Sequence, residues 1–232
     1  MNDVMNDTSM RRTVYMYLKR CLNQGSIRSG SFLDLASIGR DLGMSRTPLR
    51  DALLGLEAEG FVTIHSRRGV VVNTLDLETI RNLYQILGAL EGAVIEEIAH
   101  RFGTRELSIM EAANAEMAGA LERDDFDSYY TSNLNFHNAY LDLGTNPDLL
   151  RIIRIQKERL YDFPRKQDYL REWELASVKE HARLMELLAC RDFRGAGTYM
   201  REVHWSFTVQ ESFVRRYYFE KPFSAEGARG TA

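Results

Sequence analysis

Residues 45–61 read SRTPLRDALLGLEAEGF, and the two chemistries interleaved in this stretch decide how the chain is built. Leu49, Ala52, Leu53 and Leu56 recur at the three- and four-residue spacing of one buried helical stripe. Ser45 stands where a helix N-cap is expected. Pro48 falls in the first turn, where its missing N–H has no helical partner to lose. Arg46 and Arg50 lie one turn apart and share a face that is not the apolar one. Gly60 and Phe61 close the helix. A helix with a buried stripe and a separate cationic face is predicted to pack on one side and meet an anionic partner on the other.

The flanks say what kind of helix this is. Upstream, Val14, Leu18, Cys21 and Leu22 predict a first helix of about three turns starting near residue 10. Gly25 and Gly30 interrupt the pattern, and Asp34 is placed to cap a short second helix that buries Leu35, Ile38 and Leu42. Gly43 ends it one turn before Ser45. Downstream the period changes to two short β-type runs, FVTIH and VVV, around the turn SRRG, where Gly69 is free to take a positive φ. Three helices and a β-hairpin, with a tight turn between the second and third helices, describe a winged helix-turn-helix over residues 1–75.

From NTLDLET onward, with Thr74 or Asp76 as the cap, only helical patterns follow. Six segments are predicted, over 77–102, 105–122, 126–143, 147–163, 170–190 and 192–218, with Pro164 stopping the fourth. Short connections make residues 76–232 an all-α antiparallel bundle of six or seven helices, so the fold class is mostly α. The tail AEGARGTA is expected to stay disordered.

Charge is divided unevenly between the two parts. Residues 1–75 carry 10 Lys/Arg against 7 Asp/Glu, whereas residues 76–232 carry 20 against 26, within a net charge of -3. A basic first domain beside an acidic second one is what a chain needs when only one domain meets an anion. No apolar run approaches the roughly 20 residues of a membrane span. MNDVMNDTSMRR lacks the apolar core of a signal peptide, so a cytoplasmic protein without membrane partners is expected. Cys21 and Cys190 have no metal-type spacing and read as core-like free thiols.

A helix presented to a major groove needs short or positive groups at its N-terminal end. Ser45, Arg46, Thr47 and Arg50 meet that need on double-stranded DNA. Arg46 is the candidate for bidentate reading of a guanine edge, and the hydroxyls and first N–H groups suit phosphate oxygens. Arg67 and Arg68, with Gly69 shaping the wing tip, reach phosphate or the adjacent minor groove. The competing reading makes these arginines surface ion pairs, for example Arg50 with Asp51 or Glu57. Their common clustering weighs against it.

LASIGRDLGMSRTPLRDALLGLEAEGFVTIHSRRGVVV resembles the GntR family of bacterial transcription regulators across nearly the whole first domain. The resemblance implies operator contacts by the Ser45–Arg50 segment and the wing, and binding as a homodimer. NFHNAYLDLGTNPDLL and EHARLMELLACRDFRGAGTYM are similar to the FadR-type branch, whose ligand domain is called FCD. That likeness implies a small-molecule effector in the bundle, beside a divalent metal held by an Asp and three His.

The chain keeps only part of that set. His137 and His181 match, the Asp position is Asn133, and the last His position falls on Val203 with His204 one residue on. On a regular helix one residue is a rotation of about 100°, and no insertion or bulge is evident in the alignment that would bring His204 back. Asn133, His137, His181 and His204 are therefore the candidate effector pocket. They are also the candidate ligands of a metal such as Zn²⁺ or Ni²⁺, with no organic cofactor expected. The departures favour hydrogen-bonded core histidines, or a metal-free pocket, over the metal site. Leu87 stands where the family tends to place an arginine near the effector's acid group. Together with Tyr129, Tyr130, Phe136, Tyr140 and Tyr161, this turns the expectation from a small carboxylate towards a larger or aromatic effector.

A ligand-responsive, sequence-specific regulator, most simply a repressor of a catabolic or transport operon, accounts for all of these features. A metal-dependent hydrolase-like bundle with a winged docking module is the alternative. It lacks a carboxylate base, and no GxSxG, HExxH or P-loop pattern occurs, so no enzyme is expected. A structural DNA binder calls for a far more basic chain.

Overall fold

In a computed structural model of the chain, residues 2–161 and 170–220 are described, with side chains from residue 10 onward. Helix α1 (Asn2–Asn23) begins well before the three predicted turns. The sequence of its first two turns carries no regular apolar spacing, so periodicity predicts only the later part. That part buries Val14, Tyr15, Leu18 and Leu22. Helix α2 (Leu35–Leu42) starts where Asp34 accepts from the N–H groups of Ala36 and Ser37, and stops at Gly43 in the left-handed region. Ile38 is its one fully buried residue, while Leu35 and Leu42 pack half-buried at the edge.

Helix α3 (Arg46–Ala58) buries the predicted stripe Leu49, Ala52, Leu53 and Leu56. Each leucine there contributes roughly 2 kcal/mol of burial free energy. Ser45 is extended, as an N-cap should be, but its hydroxyl makes no capping bond. Strands β1 (Val62–His65) and β2 (Gly69–Val72) pair antiparallel, Val62 opposite Val72 and His65 opposite Gly69. Val70 and Val72 turn inward and join Phe61, which meets Tyr15 edge to face at 5.1 Å between ring centroids. The hairpin turn needs positive φ at Arg67 (64°) and Gly69 (111°).

The second part contains helices α4 (Leu77–Glu97), α5 (Thr104–Glu122), α6 (Phe126–Leu141), α7 (Pro147–Tyr161), α8 (Arg171–Ala189), α9 (Phe193–Tyr199) and α10 (Phe207–Tyr218). Asp76 caps α4 by accepting from the Thr79 N–H at 2.7 Å. The last predicted helix is broken. Between α9 and α10 lies a π-helical turn, Met200–His204, in which the Trp205 N–H reaches back five residues to the Met200 carbonyl at 2.8 Å. Among the described residues this gives seven α-helices. Pro164 and the tail AEGARGTA lie outside the described residues.

The chain divides into two compact units. One takes residues through Ile80 together with the stretch that begins at Arg154, so Ile155 of α7 belongs to the winged-domain core. The other takes Arg81–Ile153 and the remainder. No helix among the described residues is long and apolar enough to cross a membrane. Cys21 is buried, but Cys190 is exposed, against the sequence reading. It caps α8 just past the last buried residue, Leu188, where the apolar face has ended.

Close backbone approach of α4 and α9 is set by glycine. A Cβ on Gly92 would lie 2.8 Å from the Gly197 carbonyl oxygen, and one on Gly197 would lie 2.8 Å from that of Gly92. Next to them, a Cβ on Gly88 would stand 3.1 Å from the Cβ of Trp205. The two helix backbones therefore touch, and the π turn is seated directly against α4.

Candidate nucleic-acid interface and metal centre

On the winged unit, Ser45, Arg46, Thr47 and Arg50 are all exposed at the start of α3, and Arg67 and Arg68 are exposed at the hairpin tip. Gly69 is half-buried against the Phe32 ring. None of the four guanidiniums takes part in an ion pair among the described residues. Glu57, a candidate partner for Arg50, instead accepts the Ile64 N–H at 2.6 Å and ties β1 to α3. Asn73 donates to the Gly60 carbonyl at 2.9 Å and accepts from the Thr63 hydroxyl at 2.7 Å, closing the base of the wing. Helix and wing are thus one rigid piece carrying four cations that keep their charge for an outside anion. Glu57 and Asn73 were not singled out in the sequence. A polar residue at the junction of a helix and a hairpin is their only signal.

Inside the bundle the candidate ligands do come together. His137 of α6, His181 of α8 and His204 of the π turn offer ring nitrogens that lie within 4.8 Å of one another. Their ring centroids form a near-equilateral triangle of 5.3, 5.0 and 5.2 Å. The π turn is the reason His204 takes part. One extra residue per turn cancels the rotation of about 100° that a regular helix would impose. The expectation that no bulge would restore His204 is therefore corrected.

Two of the imidazoles are aimed by carboxylates. His137 Nδ1 lies 3.0 Å from Glu91 Oε2 and 2.7 Å from the Tyr140 hydroxyl, which itself donates to Glu91. His204 Nδ1 lies 2.9 Å from Glu180 Oε2. Gln210 donates to the other Glu180 oxygen at 2.8 Å, and the Trp173 indole donates to Gln210 at 2.9 Å. A carboxylate on Nδ1 selects the tautomer whose Nε2 carries a lone pair, the arrangement found behind metal-bound histidines. His181 is fully buried, with its ring stacked on Phe136 at 4.0 Å. Asn133, one turn before His137, is buried with its Oδ1 lacking a hydrogen-bond partner. Three imidazoles, two of them backed by acids, fit a borderline ion such as Zn²⁺ or Ni²⁺. They fit a hard oxygen-seeking cation poorly.

The sequence reading missed Glu91 and Glu180 as supports. Glu91 had a readable signal, because it falls on the apolar stripe Leu83, Leu87 and Val94 of α4, which Ile98 continues just past the helix, and is fully buried. The aromatic lining is only partly as expected. Tyr129, Phe136 and Tyr140 are buried in the bundle and Tyr130 is half-buried, but Tyr161 groups with the winged unit. Leu87 is fully buried.

Farther along the same helices, burial, with the nearby charge of Glu174, raises the Tyr129 phenol well above its ordinary value. Burial pushes the Glu174 carboxyl up to about 7, against the opposing pull of the Tyr129 bond. Burial, with the nearby charges of Glu174 and Glu180, also raises the Tyr84 phenol.

Comparisons with known proteins give the family. Residues 10–72 match the bacterial regulatory proteins of the gntR family, and residues 82–204 match the FCD domain. The HTH-type transcriptional regulator YdhC of Bacillus subtilis is 24% identical over 174 residues, 74% of this chain and 77% of its own length. The Nta operon transcriptional regulator of Aminobacter aminovorans is 27% identical over 169 residues, 71% and 76% of the two chains. A solved GntR regulator from Rhodococcus sp. RHA1 shares the fold, with a TM-score of 0.67 at 21% identity over 90% of this chain and 99% of that one. With an exposed cationic helix and wing on one unit and a three-histidine centre in the other, the chain belongs to the GntR family of transcriptional regulators with an FCD domain, and is not an enzyme.

Proposed function

We propose that this protein is a cytoplasmic, ligand-responsive repressor. Residues 1–75 bind a palindromic operator, and residues 76–232 bind a small-molecule effector and form the homodimer. The observation that carries the reading is the set of four exposed guanidiniums, free of ion pairs among the described residues, on a recognition helix and wing locked together by Glu57 and Asn73. One such helix covers only a few base pairs. Two in successive major grooves, roughly 34 Å apart, supply the length of site that genomic specificity requires. The relation to an operon regulator supports an operon as the target.

Effector binding occurs at Asn133, His137, His181 and His204, and these residues hold a divalent metal, Zn²⁺ or Ni²⁺. The ion supplies a Lewis-acidic anchor for an effector oxygen. Glu91 and Glu180 orient the imidazoles, and the Asn133 amide oxygen gives a neutral fourth donor or meets the effector directly. Repression is relieved only as far as the effector prefers one arrangement of the dimer over the other.

Selection of bound sites from random duplexes tests the DNA-reading part. The wild type is expected to enrich a palindrome, and Arg46→Ala to lose discrimination at one base per half-site, worth about 1–3 kcal/mol. An unchanged site preference in Arg46→Ala would remove α3 from base reading.

A further inference from the structure

The buried faces of α5 and α6 are each interrupted by an amide. On α5, Asn114 falls within the stripe Met110, Ala113, Met117 and Leu121. On α6, Asn133 stands between Tyr129 and His137 on the face that also buries Phe136. Both asparagines are at least nine-tenths buried. Each has an Oδ1 shut off from solvent, with no hydrogen-bond partner among the described residues. An amide oxygen left unmet in a low-dielectric interior is costly, and an apolar side chain of similar size avoids that cost.

The two oxygens belong to one place. Residues 123–125 join α5 to α6, and a connection this short makes the packed pair antiparallel. Asn114 stands eight residues before the end of α5, and Asn133 seven residues after the start of α6. Both therefore lie about 11 Å from that turn. Both also face α8. The Asn114 Nδ2 donates to the Val178 carbonyl at 3.2 Å, and that carbonyl points along α8 toward His181, one turn on. Asn133 lies one turn before His137 on the same face of α6, and the His137 ring centroid stands 5.3 Å from that of His181. The bond to Val178 also fixes the Asn114 amide, because a carbonyl can be met only by its NH2 end. The oxygen is the end left over, and it cannot turn donor.

From this geometry we propose that Asn114 and Asn133 determine the specificity of the effector site, and that the effector is a primary carboxamide. The proposal rests on reading the bundle as an effector domain and names the class of ligand that domain takes. A carboxamide NH2 carries two polar hydrogens on one atom and gives one to each Oδ1, while its carbonyl oxygen turns toward the histidines. A carboxylate has nearly the same shape but no hydrogen to give. It would set a charged acceptor against two amide oxygens. A site built to hydrogen-bond one group rejects the isostere that lacks it more strongly than any fit of size could.

The test uses two matched pairs of probes, benzamide against benzoate and lactamide against lactate. Each is titrated calorimetrically into the full-length protein, as purified and zinc-loaded. The amide is expected to bind at least about tenfold more tightly than its acid, a difference of one lost hydrogen bond or more. Asn114→Leu and Asn133→Leu should each bring that ratio close to one. A purely structural role for the asparagines would weaken both members of a pair alike and leave the ratio as it is. The wild-type ratio stands even if a variant fails to fold. A further measurement needs no probe. Asn133→Leu removes an unmet acceptor, so the metal-stripped variant should unfold at a higher temperature than the metal-stripped wild type.

An acid that binds as tightly as its amide, binding of neither member of either pair, an unchanged ratio in both variants, or a less stable Asn133→Leu would overturn the proposal. Operator binding without probe is measured in parallel. Its absence would break the regulator reading. Specific operator binding, with the acid preferred and its binding lost in His181→Ala, would break only the assignment of the carboxamide.

Discussion

The winged unit and the bundle place their functional groups in opposite ways. In the first, Arg46, Arg50, Arg67 and Arg68 project outward from a packed apolar core, exposed and outside any ion pair among the described residues. In the second, His137, His181 and His204 are turned inward, two of them held by buried or half-buried carboxylates. The contrast follows from what each must bind. A polyanion as large as a duplex is met on a surface, where solvated cations lose little on binding and bring long-range attraction. A small ligand or an ion is held in a low-dielectric interior, where each polar group left without a partner is costly and a few contacts suffice.

The hardest test of that contrast is His181→Ala. Elemental analysis of protein purified without chelator should find close to one Zn²⁺ or Ni²⁺ per wild-type chain and almost none in the variant, because His181 contributes one of three converging imidazoles. Retention of metal by the variant would move the centre elsewhere.

Next in size is a pH effect at Glu174. Its carboxyl titrates at about 7 when folded, against an ordinary value of 4.5. The folded state therefore binds the proton more tightly. This group's stabilising contribution is complete below about 4.5 and is lost as pH rises towards 7, up to about 3 kcal/mol in all. Denaturant titrations at pH 5 and pH 8 should show Glu174→Gln relatively more stable at the higher pH. Equal pH slopes for the two proteins would mean that Glu174 is solvated.

Smaller again is Gly92→Ala. The added methyl meets the Gly197 carbonyl and should cost about 1–3 kcal/mol, as overpacking does. Because α9 leads into the π turn, metal affinity should fall with it. A loss of stability with metal affinity intact would show that His204 is placed without the glycine contact. The smallest effect is at the wing. Arg67→Ala should weaken operator binding evenly across sequences and lower the salt dependence by about one phosphate contact. A loss confined to one base position would make Arg67 a base reader instead.

How much could be read in advance differs between the two units for the same physical reason. The stripe of α3, the Asp34 cap, the stop at Gly43 and the positive φ of Gly69 are local. Each depends on neighbours within a turn of helix or across one hairpin. Cys190 misled because helical spacing does not reveal where a buried face ends. Tyr161 misled because the sequence pattern gave no reason to group the end of α7 with the winged unit. His204 was misplaced because a π turn adds one residue without leaving a mark in the spacing of apolar positions. Glu91 and Glu174 were legible only as anomalies, acids on faces that otherwise point inward.

By itself, the sequence determined the order of helices and hairpin, the cationic face of α3, the tip of the wing and the helical nature of the second part. These follow from periodicity, capping and turn chemistry, which act over a few residues. Tertiary structure alone decided that His137, His181 and His204 share one centre, that Glu91 and Glu180 orient two of its imidazoles, and that Glu174 is buried. Those partners lie tens of residues apart, on helices whose register is set by the glycine contact between α4 and α9 and by a single π turn. Only the packed bundle settles which faces meet and at what rotation, because close packing admits one interdigitation of side chains where a helical pattern admits many.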